Sequence, residues 1–563
     1  MNSLDWIILF GTIAFIVLYG TWKTRKTQTM DGYLRGDNTM RWWMIGVSIM
    51  ATQASAVTFL STPGQAIEDG MRFLQFYFGL PIAMVIISVT MVPIYYKLKV
   101  YTAYEYLENR FDRKTRTLAA LFFLVLRGLS AGITLFAPAL VLSTILEWPI
   151  SLTTIMIGLL VIVYVTSGGT KAVSLTQRQQ MAVIISGMVL AGVLAFKMLP
   201  DDLSFGNTVD VAGELGKMNL VNLEFNLSDR YNIWSGLIAG TFLFLSYFGT
   251  DQSQVARYLT GASIAESRLG LIFNGLLKIP MQFLILFIGI LVFVFYLFNQ
   301  PPVFHNQVLK ERAEKTAEGA TIDAYEAQYD KVYAEKRIAV DELVKAIKAE
   351  DEASTRMASD RVKALQRDET IIRDSVRTSI ARAIPGAKTQ DRDYIFLNFV
   401  LKNLPHGIIG LLLAVMFSAA MSSMASELNA LASTTTVDIY KRTFAIDDQA
   451  TVKASRWFTV MWAVFAMAFA MLASFAENLI QFVNIVGSLF YGTILGIFLT
   501  AFYVKHVRGT AVFWAAIFSE CIVLYCHFFT DIAFLLFNII GCVSVVVLAV
   551  YFELLTSKKK NKA

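Results

Sequence analysis

The sequence predicts an all-α membrane protein with about thirteen transmembrane helices, and its composition is the first reason. Of the 563 residues, 56% are hydrophobic and 16% are charged, and the mean hydropathy is +0.55. Soluble proteins usually carry roughly 25% charged residues. The apolar residues form runs of about 20, which is the length of a membrane helix and about twice that of a barrel strand. A soluble protein and a membrane β-barrel are therefore excluded.

Thirteen apolar runs follow one another along the chain, and each is predicted to cross the membrane once. They lie at residues 4–22, 40–62, 74–96, 116–146, 148–167, 181–199, 233–250, 270–298, 396–424, 455–474, 478–503, 510–529 and 532–554. The loop charges support this count, because every inner loop is basic when the N-terminus is placed outside. The first inner loop carries Lys23, Arg25 and Lys26, and the C-terminal tail carries Lys558, Lys559 and Lys560.

The first apolar run is predicted to be a retained helix and not a secretory signal. Asp5 lies before the run and Lys23 lies after it, whereas a signal peptide carries its basic residues in front. An odd number of spans then places the N-terminus outside and the C-terminus in the cytoplasm. We expect a multi-pass protein of the plasma membrane. The bacterial inner membrane is favoured, and a eukaryotic plasma membrane stays open.

One segment interrupts the apolar pattern. Residues 303–394 contain 17 Lys or Arg and 18 Asp or Glu residues, together with many helix-forming residues. Leu343, Ile347, Leu365 and Ile372 recur near helical spacing. The segment is therefore predicted to be a helical hairpin on the outer face. It is either a solvated cap or a docking surface for a periplasmic or outer-membrane partner.

The second predicted span is unusually polar. It contains Thr52, Gln53, Ser55, Thr58, Ser61 and Thr62, followed by Pro63-Gly64. Such a helix either breaks and offers its carbonyl groups to a cation and a solute, or packs its small residues against a neighbouring helix. The composition leaves both interpretations open.

The ninth predicted span ends in a serine stripe. Ser418, Ser422 and Ser426 follow at a spacing of four residues, and Ser423 lies beside them. Hydroxyl oxygens are hard ligands that suit a small cation. Serines also bond to the carbonyl groups of their own helix, so the pattern by itself leaves both roles open.

Of the charged residues within or beside predicted spans, three are candidates for function: Arg127 in the fourth, Asp251 at the inner end of the seventh and Lys278 in the eighth. A charge in hydrocarbon requires a partner, water or a ligand. Asp251 is either a substrate or gating group or the partner of Arg257, and each cation is either a counter-ion or a solute contact. No nucleotide, zinc or covalent-catalysis motif accompanies them, so neither an enzyme nor a nucleic-acid-binding protein is predicted.

The chain resembles the sodium:solute symporters, the family of the sodium/glucose, proline, multivitamin and sialic-acid cotransporters. The resemblance rests on four segments in the order GVSIMATQASAVTF, SGGTKAVSLTQRQQ, GTDQSQVARYL and AAMSSMASELNALASTTTVDIY. It implies a leucine-transporter-like fold, in which spans two to six and seven to eleven are two five-helix inverted repeats with discontinuous first helices. It also implies sodium as the co-transported ion.

Six segments of the chain follow from the resemblance and the charge pattern. They are an extra helix and loop (1–39), the first repeat (40–200), an extramembrane loop with the start of the second repeat (201–302), the charged helical insertion (303–394), the rest of the second repeat (395–508), and extra helices with a basic cytoplasmic tail (509–563).

The resemblance also implies a sodium site. Its ligands fall on the carbonyl oxygens of Ala51, Ala54 and Ala419 and on the hydroxyl oxygens of Ser422 and Ser423. Some members add a second sodium site with an aspartate, and Gln177 stands at the matching position. An amide is a poorer cation ligand than a carboxylate. We therefore expect one sodium ion per cycle.

The same resemblance implies where the solute binds. Its contacts fall on Ser55, Thr58, Tyr77, Asp251, Lys278 and Gln481, with Arg127 as a further candidate. Only Lys278 and Gln481 keep the residue type of the bacterial galactose carrier, so galactose is not expected. A sugar, a sugar acid and a small organic acid stay open, with a lean towards a solute that uses Lys278 or Arg127.

The sequence therefore predicts a sodium-coupled symporter that imports a small polar organic solute across the lipid bilayer by alternating access. A sensor that keeps the transporter fold without transport is one alternative. A proton-coupled carrier is another.

Overall fold

The computed structural model describes residues 1–24, 38–226, 228–229, 231–387, 389–444, 447–472 and 479–560. Within these residues, nine helices are long and apolar enough to cross a membrane, and three shorter apolar helices accompany them. The all-α membrane fold class is confirmed. The count of thirteen spans stays a prediction, and the predicted inner loop at 25–37 and the chain end at 561–563 lie outside the described residues.

In the first half of the chain, the described residues form eleven helices. They are α1 (Ser3–Thr24), α2 (Trp42–Gln53), α3 (Ala56–Asp69), α4 (Leu80–Leu98), α5 (Glu105–Arg110), α6 (Arg113–Leu146), α7 (Ile150–Lys197), α8 (Phe205–Glu214), α9 (Gly240–Gly249), α10 (Gln252–Tyr258) and α11 (Ile264–Phe298). Shorter 3₁₀ and π turns at Gly70–Tyr77 and Ser235–Ala239 adjoin α3 and α9.

In the second half, the part of the chain that the structure describes forms ten helices. They are α12 (Gln307–Glu314), α13 (Gly319–Lys348), α14 (Glu352–Ala383), α15 (Arg392–Asn403), α16 (Ile408–Thr434), α17 (Lys441–Phe444), α18 (Asp448–Leu472), α19 (Leu479–Tyr503), α20 (Gly509–Phe529) and α21 (Phe537–Lys560). A π turn at Thr435–Tyr440 continues α16 inwards. The side chains of α16 are almost all buried, so this helix lies at the centre of the bundle.

The fifth and sixth predicted spans are not separated as expected. The structure has one unbroken helix, α7, from Ile150 to Lys197, and no proline interrupts it. At 1.5 Å per residue such a helix is about 72 Å long, more than twice the roughly 30 Å of hydrocarbon in a bilayer. Its two apolar parts, Ile150–Val163 and Thr176–Lys197, correspond to the two predicted spans.

The predicted ninth span, 396–424, is also wrong in its bounds. The chain leaves α15 at Asn403, and α16 begins after Gly407, whose φ of +87° suits glycine. Pro405 lies in this turn, and proline cannot continue a helix. The Asp5 carboxylate of α1 accepts hydrogen bonds from the amides of Gly407 (2.6 Å) and Gly410 (3.3 Å). Asp5 therefore caps α16 and holds α1 against it.

The charged insertion forms the predicted helical hairpin. Helices α13 and α14 pack against each other along their length, and Val340, Leu343 and Val362 are buried between them. The hairpin rests on the loop before α8, because Lys348 pairs with Asp202 (2.6 Å). The insertion is thus a helical unit seated on the transmembrane bundle.

A buried charge network lies beside α5, in a loop predicted to face the cytoplasm. Arg116 binds Glu108 (2.6 Å) and Asp438 (2.6 Å), and Arg442 also binds Glu108 (2.8 Å). Burial raises the pKa of Glu105 to about 7, and the neighbouring Asp438 adds to this shift. Burial acts in the same direction on Glu108, but its hydrogen bonds to Arg116 and Arg442 hold its pKa below the usual value.

The raised pKa of Glu105 and the lowered pKa of Glu108 predict how the stability of the fold depends on pH. Because the folded state holds the Glu105 proton more tightly than the unfolded chain, folding becomes less favourable as pH rises from about 4.5 to about 7. The melting temperature should fall across this range in the wild type, and Glu105→Gln should flatten the profile.

Glu108→Gln is the matched control. The lowered pKa of Glu108 means that its ionised form stabilises the fold above its ordinary pKa, and this contribution is lost only in acid. Between pH 5 and 8 this variant should therefore lower the melting temperature by a nearly constant amount. Thermal unfolding of both variants at fixed sodium concentration tests the pair, and a pH profile of Glu105→Gln as steep as that of the wild type would contradict it.

Candidate functional site

The first site feature is a break between α2 and α3. Helix α2 ends at Gln53 and α3 begins at Ala56, with Ala54 in a non-helical conformation. The amide of Ser55 donates to the carbonyl of Gln53 (3.1 Å) and so does not pair with the carbonyl of Ala51. The Ala51 carbonyl instead accepts a hydrogen bond from Ser422 Oγ on α16 (3.0 Å). The second predicted span is therefore a broken helix.

The predicted sodium ligands cluster around this break. Ser423 is buried, and its Oγ has no hydrogen-bond partner among the described residues. Ala419 is buried one turn earlier on the same helix, and Ala54 is buried at the break itself. The structure thus joins Ala51 to Ser422 and places an unpartnered hydroxyl beside them. Small, oxygen-rich surroundings of this kind suit a hard monovalent cation.

A second break lies between α9 and α10. Helix α9 ends at Gly249, and α10 begins after Asp251, whose carboxylate accepts bonds from Ser253 N (2.8 Å) and Ser253 Oγ (2.6 Å). The prediction that Asp251 lies at the inner end of its span is therefore wrong, because the helix resumes and continues to Tyr258. Asp251 is the N-cap of the second half of a broken helix.

Asp251 does not pair with Arg257 either, as one interpretation of the sequence had it. Its partner is Arg127 on α6, which also binds Glu427 Oε1 on α16 (3.0 Å). Tyr491 on α19 accepts a bond from Arg127 and donates one to Asp251 (2.8 Å). One guanidinium therefore contacts two carboxylates and connects four helices. All of these side chains are at least nine-tenths buried, so the network is shielded from solvent.

A cavity lies between the two breaks. The side chains that line it include Thr52, Ser55, Thr58, Phe76, Tyr77, Arg127, Ser130, Phe244, Tyr247, Lys278, Ser423, Glu427, Asn484 and Tyr491. Predicted contacts Ser55, Thr58, Tyr77, Lys278 and Arg127 are brought together here, and Ser423 places the cation region on the same wall.

Lys278 is the cation that faces this cavity without a carboxylate. Its side chain is 1% exposed, and its Nζ has no hydrogen-bond partner among the described residues. The ammonium lies 5.7 Å from the centre of the Tyr77 ring, close enough for a cation–π contact. An ammonium buried in this way requires an anion, water or ligand oxygen.

The structure differs from the sequence prediction of the site at two residues, Gln481 and Glu427. Gln481 does not line the central cavity. It lines an outer cavity together with Glu68, Arg72 and Lys217. Glu427 was not singled out from the sequence, because the predicted ninth span ends at residue 424, whereas α16 continues to Thr434. A carboxylate within a membrane helix is a signal of function, but only the longer helix includes it.

Gln177, which stands where some members of the family carry the aspartate of a second sodium site, forms hydrogen bonds with both ends of its amide. The Gln177 amide nitrogen donates to Thr52 Oγ1 (3.0 Å) and to Ser426 Oγ (3.0 Å), and its carbonyl oxygen accepts from Ser48. Thr52 and Ser426 also contact each other (3.0 Å). The NH₂ group thus donates hydrogen bonds to the two hydroxyl oxygens that a cation at this position would need as ligands.

Comparison with known proteins identifies a family and several relatives. A family model described as "Sodium:solute symporter family" matches residues 33–316 and 371–519. The sodium/sialic acid symporter SiaT of Proteus mirabilis is 25% identical over 558 residues, which are 97% of this chain and 93% of that protein. Sodium-coupled monocarboxylate transporter 1 of Homo sapiens is 30% identical over 273 residues, which span 48% of this chain and only 44% of that protein.

A solved structure is similar over the whole chain. It is that of a Na⁺-coupled sialic acid symporter in a substrate-bound outward-open state, with a TM-score of 0.75, 23% identity and 98% of both chains covered. This likeness confirms the leucine-transporter-like fold with its discontinuous first helices. The unmatched stretch of the family model, between 316 and 371, falls within the charged insertion.

Proposed function

The chain belongs to the sodium:solute symporter family, and on this premise we propose that it imports a small organic anion with an apolar body, together with one sodium ion. The observation that carries the proposal is that Ser423, beside the first helix break, lines the same cavity as the unpartnered ammonium of Lys278. A cation site and an anion-binding group are thus adjacent. Transporters of this architecture bind both ligands at such helix breaks.

The charge of the solute follows from the two cations of the cavity. Two carboxylates, Asp251 and Glu427, already compensate the charge of Arg127, and its Nε is the donor that lacks a hydrogen-bond partner among the described residues. Lys278 has no such partner among the described residues. We therefore assign the anionic group of the solute to Lys278. The similarity to sialic acid and monocarboxylate transporters supports a carboxylate.

The body of the solute follows from the cavity walls. Five of the lining side chains are aromatic: Phe76, Tyr77, Phe244, Tyr247 and Tyr491. Tyr77 and Phe244 stack at 5.8 Å, and Phe76 meets Phe244 edge to face at 5.4 Å. Such walls favour apolar groups, while Ser55 and Thr58 offer hydroxyls to a polar substituent. The sequence left a sugar, a sugar acid and a small organic acid open, and the proposal retains a small carboxylate.

The single sodium ion follows from Gln177. Its amide protons point at Thr52 and Ser426, and a cation at that position would meet positive N–H groups instead of a carboxylate. The remaining cation ligands are those around Ala51, Ser422 and Ser423. Sodium there would close the break between α2 and α3 and so order the adjacent solute wall, which includes Ser55 and Thr58. This gives each ligand a preference for the conformation that favours the other.

The sodium site is tested by Ser423→Ala. Loss of one oxygen ligand should raise the sodium concentration for half-maximal uptake several-fold, with little change in uptake at saturating sodium. The measurement is solute uptake into proteoliposomes over a range of sodium concentrations.

Ser433→Ala is the matched control, because Ser433 lies on the same helix and bonds to the carbonyl of Ala430 (3.0 Å). It should leave the sodium dependence unchanged. If Ser423→Ala also leaves it unchanged, the assignment of this hydroxyl to sodium is wrong.

The solute site is tested by Lys278→Gln. A charge-assisted hydrogen bond contributes about 1.5–3 kcal/mol, so affinity for carboxylates should fall by about 10- to 100-fold. The measurement is the thermal shift that a panel of small carboxylates produces in the presence of sodium.

Two controls accompany this measurement. The sodium-induced shift should survive in Lys278→Gln, which shows that the protein is folded. The amides of the same carboxylates should bind wild type and variant about equally. A variant that keeps full carboxylate affinity would exclude Lys278 as the anion-binding group.

The stoichiometry is tested by simultaneous flux of radioactive sodium and solute into proteoliposomes at zero membrane potential. The expected ratio is one sodium ion per solute. A ratio of two would show that a second cation binds despite Gln177. The site of that second cation would then have to lie elsewhere in the transport path.

A further inference from the structure

A buried polar cluster lies at the edge of the second repeat, where α19 meets α20 and α21. It contains Glu520 on α20, Thr493 on α19 and Asn538 on α21. Glu520 is 5% exposed, and the other two side chains are fully buried. None of the three lines the central cavity. The cluster therefore takes no part in the transport site described above.

The three helices approach one another closely at this level. A Cβ added to Gly492 would lie 2.7 Å from the carbonyl oxygen of Asn538, and one added to Gly541 would lie 2.9 Å from the amide of Thr493. Ser519, beside Glu520, donates to the carbonyl of Gly541 (2.8 Å). Backbone contact thus brings the three polar side chains into one layer of the bundle.

The amide donor of this layer forms hydrogen bonds, whereas several of its oxygen acceptors have no hydrogen-bond partner among the described residues. Asn538 Nδ2 donates to Ser488 Oγ (3.0 Å) and to the carbonyl of Leu535 (2.9 Å). Both carboxylate oxygens of Glu520, the hydroxyl of Thr493 and Asn538 Oδ1 have no hydrogen-bond partner among the described residues. The Thr493 hydroxyl lies close to the Glu520 carboxylate and is the one neighbouring donor. No positive group compensates the carboxylate, and Asn538 Oδ1 has no donor among the described residues.

The charge of Glu520 also has no protein partner in the described part of the chain. The sequences of α19, α20 and the membrane part of α21 contain no Lys or Arg, and His527 lies about two turns away along α20. Helix α6 packs against α19 and α20, but its Arg116 and Arg127 are bound to other carboxylates. A buried charge of this kind is costly unless something compensates it.

We propose that Glu520, Thr493 and Asn538 hold a monovalent alkali cation, sodium in the first instance, that is bound but not transported. Carboxylate, hydroxyl and amide oxygens are the ligands that such hard cations prefer. One ion compensates the charge and satisfies several acceptors at once, whereas one proton supplies a single donor. The ion ties the last two helices to α19, the final helix of the second repeat.

The test is thermal unfolding of the purified full-length protein in sodium chloride against choline chloride at equal ionic strength, because a ligand of the native state raises its melting temperature. The variants are Glu520→Gln, Ser423→Ala and the double substitution. Each single variant should keep part of the sodium-dependent shift, and the shift of the double variant should be smaller than that of Ser423→Ala. Glu520→Gln should keep the sodium dependence of uptake and the flux ratio of the wild type.

Thr493→Val provides a second variant that keeps the shape of the side chain. It should raise the sodium concentration needed for the residual shift in a Ser423→Ala background. This arm is independent of the transport site, so failure of the Ser423 assignment leaves it interpretable.

Two outcomes would overturn the proposal. One is a sodium shift in the double variant that equals the shift in Ser423→Ala. The other is a sodium shift unaffected by Glu520→Gln, together with a pH dependence of stability that this variant abolishes. The second outcome would identify the ligand as a proton.

Discussion

The buried guanidinium of Arg127 is the interaction on which the centre of this protein depends, because a charge at that depth must be matched where it lies. It binds Asp251 at the second helix break and Glu427 on α16. With Lys278, the cavity region holds two positive and two negative side chains. On the proposed function, an anionic solute disturbs this balance and one sodium ion restores it. Charge neutrality thus gives the two ligands a reason to bind together.

The broken helices make this arrangement possible. Irregular backbone at membrane depth is tolerated only where it is buried in protein or lines a cavity, and both breaks meet this condition. At the first, the freed Ala51 carbonyl bonds to Ser422. At the second, Asp251 caps α10 with one carboxylate oxygen and binds Arg127 with the other. Thr52 and Ser423, which adjoin Ala51 and Ser422 in the sequence, line the cavity.

Helix α3, the second half of the first broken helix, connects the cavity to the charged insertion. Arg392, at the start of α15, pairs with Glu68 on α3. A Cβ added to Gly64 would lie 2.6 Å from the carbonyl oxygen of Arg392, so the two helices touch through their backbones. Movement of α3 during a transport cycle must therefore carry α15 with it or break these contacts. The insertion is linked in this way to the segment that carries Ser55 and Thr58.

The sequence by itself determined the membrane class, the helical insertion and the family, because hydropathy, charge and local motifs are properties of contiguous residues. It also identified Lys278 and the serine pair. Only the tertiary structure decided the partner of Asp251, the place of Gln481 and the role of Glu427. Arg127 and Glu427 are 300 residues apart in sequence, and nothing local to either residue encodes that contact. Pairing between distant side chains depends on how helices are arranged, and that arrangement is a property of the whole packed bundle.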